Sequence, residues 1–272
     1  MNDSWWQRKR NQLQNAATRR VKGFPQSSNR ASSFHLNWQI PSQTSDGGSV
    51  QNGLTALEVT LEVLEPPSVD RLYFWAVQAN FTDGQLRQAG GAHLGLQWHP
   101  GHPGCTAVNW GGYDHQGTIL SGSESALPSK MANPNTRDFF WQPRVPYRLR
   151  IERITLGSQS FWRGSVTEVQ TGAITVVRDL YPTGDFISGV TMWSEIFARC
   201  DDPSVAIRWT DAQAEFLDST VLRPAAFLVN YQSHQDGGCA NSDSFFDGLG
   251  IVQRTAVQRS TQQGQLILGE RG

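Results

Sequence analysis

Lysine, methionine and cysteine each occur only three times in this 272-residue chain, and charged residues make up only 17% of it. A typical globular protein carries about 25% charged residues. The shortfall excludes a disordered polyelectrolyte and a long charged coiled coil. No stretch approaches the ~18 consecutive apolar residues of a membrane span. There is no GxxxxGK[ST] loop, no dinucleotide fingerprint after a strand, no GxSxG elbow and no HExxH. Nucleotide-dependent and standard serine-hydrolase chemistry are therefore not expected, nor is a nucleotide partner. The N-terminus MNDSWWQRKRNQLQNAATRRVKG also lacks the apolar core of a secretory signal, which predicts a cytoplasmic protein.

What is present is unevenly placed. The formal net charge of −1 divides into +6 on residues 1–30 and −7 on the rest, because Arg8, Lys9, Arg10, Arg19, Arg20, Lys22 and Arg30 face one acid, Asp3. Residues 1–30 read as a basic arm and 31–272 as one domain. Asp3 or Ser4 caps a short helix running to about Arg20 in one reading; a loosely ordered polar arm is the other. Its charge suits an anionic surface. Cys105, Cys200 and Cys239 form no CxxC pair, and their odd number leaves at least one free thiol. Either Cys200 bonds Cys239, as in an exported protein, or all three are buried thiols.

From Phe34 onward the hydrophobic period is close to two. Phe34, Leu36, Trp38 and Ile40 alternate with His35, Asn37 and Gln39; Leu57, Val59, Leu61 and Val63 alternate with Glu58, Thr60 and Glu62. About fourteen such segments follow one another, bounded by Gly, Pro, Asn or Asp, with no helical pattern between them. Without crossover helices the pairing must be antiparallel, and so many strands need two stacked sheets to cover their apolar faces. The predicted fold is all-β: a large two-sheet antiparallel β-sandwich of jelly-roll, concanavalin A-like type, with residues 121–146 as a long loop.

Three constellations carry candidate chemistry. On GGAHLGLQWH, Leu94, Leu96 and Trp98 face one way while His93, Gln97 and His99 face the other, followed by Asn109, Trp110, Tyr113, Asp114 and His115. His99, His102 and His115 or Asp114 offer imidazole and carboxylate ligands to a metal, although their spacing matches no standard motif. On MWSEIFARCDDPSVAIRW, Glu195 shares a face with the aromatic Trp193 and Phe197. A carboxyl among rings suits a general acid, with Asp201, Asp202 or Asp114 as its second carboxylate; the plainer reading is an ion pair of Glu195 with Arg208. In YQSHQDGGCANSDSFFDGLG, Asp236, Asn241, Asp243 and Asp247 offer oxygen ligands to calcium, the one cofactor considered.

The stretches YFWAVQANF, GGAHLGLQWHP, AVNWGGYD, MWSEIFARCD and VNYQSHQDGGC resemble a group of uncharacterised bacterial proteins carrying a domain of unknown function. The likeness spans Leu54 to Arg259 and implies a lectin-like sandwich of the concanavalin A-like class, without catalytic residues to carry over. The chain lacks the ExDxE-type strand of sandwich glucanases. The first functional expectation is thus a carbohydrate-binding protein, holding a glycan or polysaccharide on His93, Gln97, His99, Asn109, Trp110, Tyr113, Trp141, Trp193 and Arg208, with Trp98 and Trp209 in the core. The second is a glycoside hydrolase or polysaccharide lyase on the same fold, with Glu195 or His99 as acid/base. The third is a non-catalytic interaction module docked through its arm.

Overall fold

The computed structural model describes residues 19–42, 53–85, 87–182 and 184–269. The helix expected over the arm falls almost wholly outside them. The described residues form sixteen strands and a single 3₁₀ turn, Pro103–Cys105. The strands are β1 (Ser32–Gln39), β2 (Leu54–Glu65), β3 (Tyr73–Thr82), β4 (Gln88–Trp98), β5 (Thr106–Tyr113), β6 (Thr136–Asp138), β7 (Pro146–Leu156) and β8 (Gln159–Glu168). They continue with β9 (Ile174–Leu180), β10 (Phe186–Ile196), β11 (Ala206–Phe216), β12 (Val221–Leu222), β13 (Ala226–Tyr231), β14 (Ser242–Phe246), β15 (Ile251–Thr255) and β16 (Leu266–Leu268). Among the described residues no helix is long and apolar enough to cross a membrane.

All pairings are antiparallel, as the missing crossover helices required. The front layer runs β16-β13-β1-β10-β3-β4-β5-β6, and the back layer β14-β15-β11-β2-β7-β8-β9, with β12 on β11. Among the described residues, only the pair Ile187 and Leu54 joins them by strand register. Between the layers lies one apolar cluster, to which Phe34, Leu36 and Trp38 contribute from β1, Leu57, Val59, Leu61 and Val63 from β2, and Trp75 and Val77 from β3. Period-two alternation thus sends one set of side chains into the core and the other outward. Gly164 shows how closely the layers pack: a Cβ there would lie 2.6 Å from the Trp110 ring.

The outward face of the back layer is laced with ion pairs. Arg150 meets Glu58, Glu152 and Glu215, and Arg208 meets Glu62 at 3.0 Å and Asp247 at 2.7 Å. The segment expected to be a long loop does two jobs. Ser121, Ser123 and Ser125 bond the backbone of β9 and of Tyr181, covering that edge of the back layer, and Thr136–Asp138 then extend the front layer as β6. Cys200 and Cys239 form a disulfide, and Cys105 is a free thiol.

Candidate functional site

The register of the front layer determines which residues share its outer face. One cross-strand row reads Asn230, His35, Trp193, Ala76, Gly95 and Asn109. The row on one side holds Ser33, Glu195, Phe74 and Gln97, and the row on the other holds Asn37, Thr191, Gln78 and His93. The side chains of these rows on β13, β1 and β10, with Phe74, Gln78 and His93, floor a groove of ≈ 770 Å³ that crosses the strands from Tyr113 on β5 to Asn230 on β13. A second compartment of ≈ 740 Å³ shares Ser33, His35 and Asn230 and continues past β13 toward Gln263 and Arg259.

At the centre of the floor, Phe74 and Trp193 pack edge to face with ring centroids 4.8 Å apart. The His93 imidazole joins them at 5.5 and 5.6 Å. Burial against these rings pushes His93 down to about 4. An unfolded chain would bind this proton near 6.5, so between about pH 6.5 and 4 the unfolded state holds more protons and stability falls as pH falls. His93→Gln is expected to lessen that acid loss by about 2 kcal/mol, read as a smaller drop in Tm between neutral and mildly acid buffer. Glu195 works in the opposite sense, since its folded form prefers the proton. The Glu195 carboxyl is held above the usual range by burial, against a smaller opposing contribution from the Asn29 amide, which donates to Oε1 at 2.8 Å. Burial also lowers His35.

Among the residues expected to bind ligand, His93, Tyr113 and Trp193 line this groove with Glu195; Asp114 and His115 stand at its β5 end. The others do not. Trp110 and Trp141 are core side chains, Trp141 donating its Nε1–H to the Gln97 carbonyl at 3.1 Å. Gln97 and Asn109 are buried beyond Phe74 and Ala76, Asn109 donating to Thr136 Oγ1 at 2.8 Å. Arg208 lies on the outward face of the back layer, on the opposite side of the molecule from Glu195, so the expected ion pair between them is not formed.

His99 is in the loop after β4, its Nδ1 accepting the Gly101 amide, and packs on His102, which in turn bonds Asp138. His115 is at the opposite end of the β4–β5 hairpin, so the imidazoles expected to share a metal are apart. Asp201 and Asp202 are held by Arg199. The four oxygen donors considered for calcium do not converge either. Asp236 caps its own turn with Ser233, Asn241 donates to the Cys200 carbonyl, Asp243 accepts Tyr231, Ser244, Ser260 and Thr261, and Asp247 pairs with Arg208. Among the described residues no group of three or more His, Cys, Asp or Glu is placed to hold a metal.

No known family model and no curated protein sequence matches the chain. It is similar to solved structures of peptidases. Scytalido-glutamic peptidase with a peptide-based transition-state analogue aligns at 9% identity and TM-score 0.46. SCP-B, a member of the eqolisin family of peptidases in complex with the tripeptide Ala-Ile-His, aligns at 10% identity and TM-score 0.42. Each alignment covers 82% of this chain and 98% of the other. The glycan-binding expectation is corrected, because the indoles meant to stack on sugar, Trp110, Trp141 and Trp193, are buried. Trp193, the one in the groove, is only 8% exposed, its ring turned edge-on to Phe74.

Ser33, His35, Asn37, Phe74, Gln78, Thr191 and Asn230 line the groove but were not among the expected site residues. Their signal was the polar half of the β1 alternation, His35 and Asn37, read only as the solvent side of a strand. Asn29 had no sequence signal, because it reaches Glu195 from outside the strands.

Proposed function

We propose that this protein is an acid-acting hydrolase that cuts polypeptide bound across the front-layer groove, with Glu195 as its acid/base. The observation that carries the reading is the Glu195 carboxyl itself: pushed up by burial, held at Oε1 by Asn29, and set in the floor of the front-layer groove. A carboxyl in that state keeps its proton to higher pH than an exposed one, which suits it to act in turn as base and acid. Ionised, it takes a proton from the water that attacks the scissile carbonyl carbon; protonated, it returns that proton to the departing amine as the C–N bond breaks. The sum is one amide and one water giving one carboxylic acid and one amine.

The lining supports an extended peptide as the occupant. Asn37, Gln78, Asn80 and Asn230 present carboxamides, a group that can both donate and accept as peptide N–H and C=O groups require. From β5 to β13 the groove spans five interstrand spacings, roughly 24 Å, or about seven extended residues. We also take the winding of the sandwich to be of jelly-roll type, which the repeated passage of the chain between layers supports. The Cys200–Cys239 disulfide favours an oxidising compartment as its place of work.

The test is a panel of internally quenched, unstructured peptides incubated with the protein from about pH 3 to 7. Cleavage at internal bonds is expected, with its maximum on the acid side of neutrality. A panel left intact over the whole range, with no new amines detected, overturns the reading.

A further inference from the structure

The described part of the arm does not hang free. Residues 19–31 form a strap laid across the loops at one end of the front layer. The Ala240 amide donates to the Arg20 carbonyl (2.7 Å) and the Cys200 amide to the Gly23 carbonyl (2.8 Å), so the strap is tied beside both halves of the disulfide. Arg20 donates to the carbonyls of His234 and Gly238, and Gly23 to Asp201 Oδ1. The Phe24 ring lies between the guanidiniums of Arg71 and Arg199, at 5.0 and 5.5 Å. Where the strap crosses Gly237, φ is +89° and a Cβ would lie 2.0 Å from the Ser27 nitrogen, so the crossing demands glycine.

The strap ends in a tight turn aimed at the groove. The Arg30 amide donates to the Ser27 carbonyl, and Arg30 itself takes a left-handed φ of +61°. Inside this turn the Asn29 side chain has a fixed orientation. The Ala31 N–H, which can only donate, points at Asn29 Oδ1 (3.1 Å), with Ser27 Oγ 2.9 Å from the same oxygen. That assigns Nδ2 to the other side, where it donates to Glu195 Oε1.

We propose that Asn29 is a positioning residue for Glu195: the strap delivers one oriented amide that fixes Oε1 and leaves Oε2 as the oxygen available to a bound chain. The role rests on the hydrolase reading above. It differs from ordinary surface packing because the turn satisfies the amide oxygen internally, so the only group the turn spends on the body at this point is the donor to Glu195. A hydrogen bond to the charged form of a carboxyl favours that form, so Asn29 offsets part of the proton affinity that burial imposes.

The experiment titrates the Glu195 carboxyl by carbon NMR and measures the pH profile of peptide cleavage in wild type, Asn29→Ala and Asn29→Asp. Asn29→Asp retains an acceptor for the Ala31 amide, so the turn survives while the donor is lost. Both variants are expected to raise the Glu195 titration by about one unit, Asn29→Asp the more because it adds a like charge. The cleavage profile should move with it, and kcat should fall about tenfold with KM little changed. Cleavage with an unmoved titration and profile in both variants overturns the positioning role alone. Failure of the wild-type protein to cleave any peptide overturns the hydrolase reading and the positioning role with it.

Discussion

Glu195→Gln is expected to lower the rate of peptide cleavage by about 10³-fold, while the protein melts at the same temperature as wild type or higher. The two halves of this expectation have one physical origin. Glutamine keeps the shape of the side chain and an oxygen that accepts from Asn29, so the floor around Phe74 and Trp193 is undisturbed. What it removes is the exchangeable proton. A carboxyl whose folded form holds its proton more tightly than the unfolded form costs stability once pH rises above its unfolded value, and the cost grows until the folded carboxyl has ionised. A neutral amide escapes that cost, so at neutral pH the variant is as stable or more so. Assay of kcat/KM on a quenched peptide beside a thermal melt reads both quantities. Retained cleavage removes Glu195 from the chemistry; lost cleavage with lost folding says only that the side chain is needed for structure, and Asn29→Asp then separates the two by changing the titration without changing residue 195.

The strand alternation that made the fold legible also gave half of the site. Reading His93 and Gln97 opposite Leu94 and Leu96, and Trp193 with Glu195 on one face, agrees with the register found. Applied one strand further, the same rule would have placed Trp110 correctly, since it is in phase with Val108 and both are core. Trp141 lies outside any strand, so no period applied to it.

Which strands are neighbours is a different kind of information. β10 and β11 are consecutive in sequence, yet the chain passes from the front layer to the back between them. Arg208 therefore meets Glu62 of β2 instead of Glu195. The same passage occurs between β13 and β14, which separates Asp236 from Asp243 and Asp247 and dissolves the calcium loop seen in the linear sequence. The short strands β6, β12 and β14 carry too few apolar residues for a period to show and exist because longer partners offer them free backbone groups.

Gln253→Leu is expected to cost about 4 kcal/mol, a loss of about 10 °C in Tm. Gln253 is 1% exposed on β15 of the back layer, yet its side chain reaches the front layer. Its Oε1 accepts from Ser194 Oγ (2.8 Å) and Trp209 Nε1 (3.0 Å), and its Nε2 donates to the Phe34 carbonyl (3.0 Å). One carboxamide thus satisfies a strand carbonyl of β1, a hydroxyl of β10 and an indole of β11, all buried. Leucine nearly matches the volume, so little of the loss comes from packing. The cost is the desolvation of the Ser194 hydroxyl and the Trp209 indole N–H, left without Gln253, at about 1–3 kcal/mol each, with the Phe34 carbonyl reduced to its strand bond. That distinction is measurable. Adding Ser194→Ala to Gln253→Leu removes one of the stranded groups, so the double variant should be less destabilised than the sum of the two single changes, by about 1 kcal/mol or more in chemical denaturation. Strict additivity would mean that Ser194 and Gln253 do not act as one network, and that the layers are joined here by apolar packing alone.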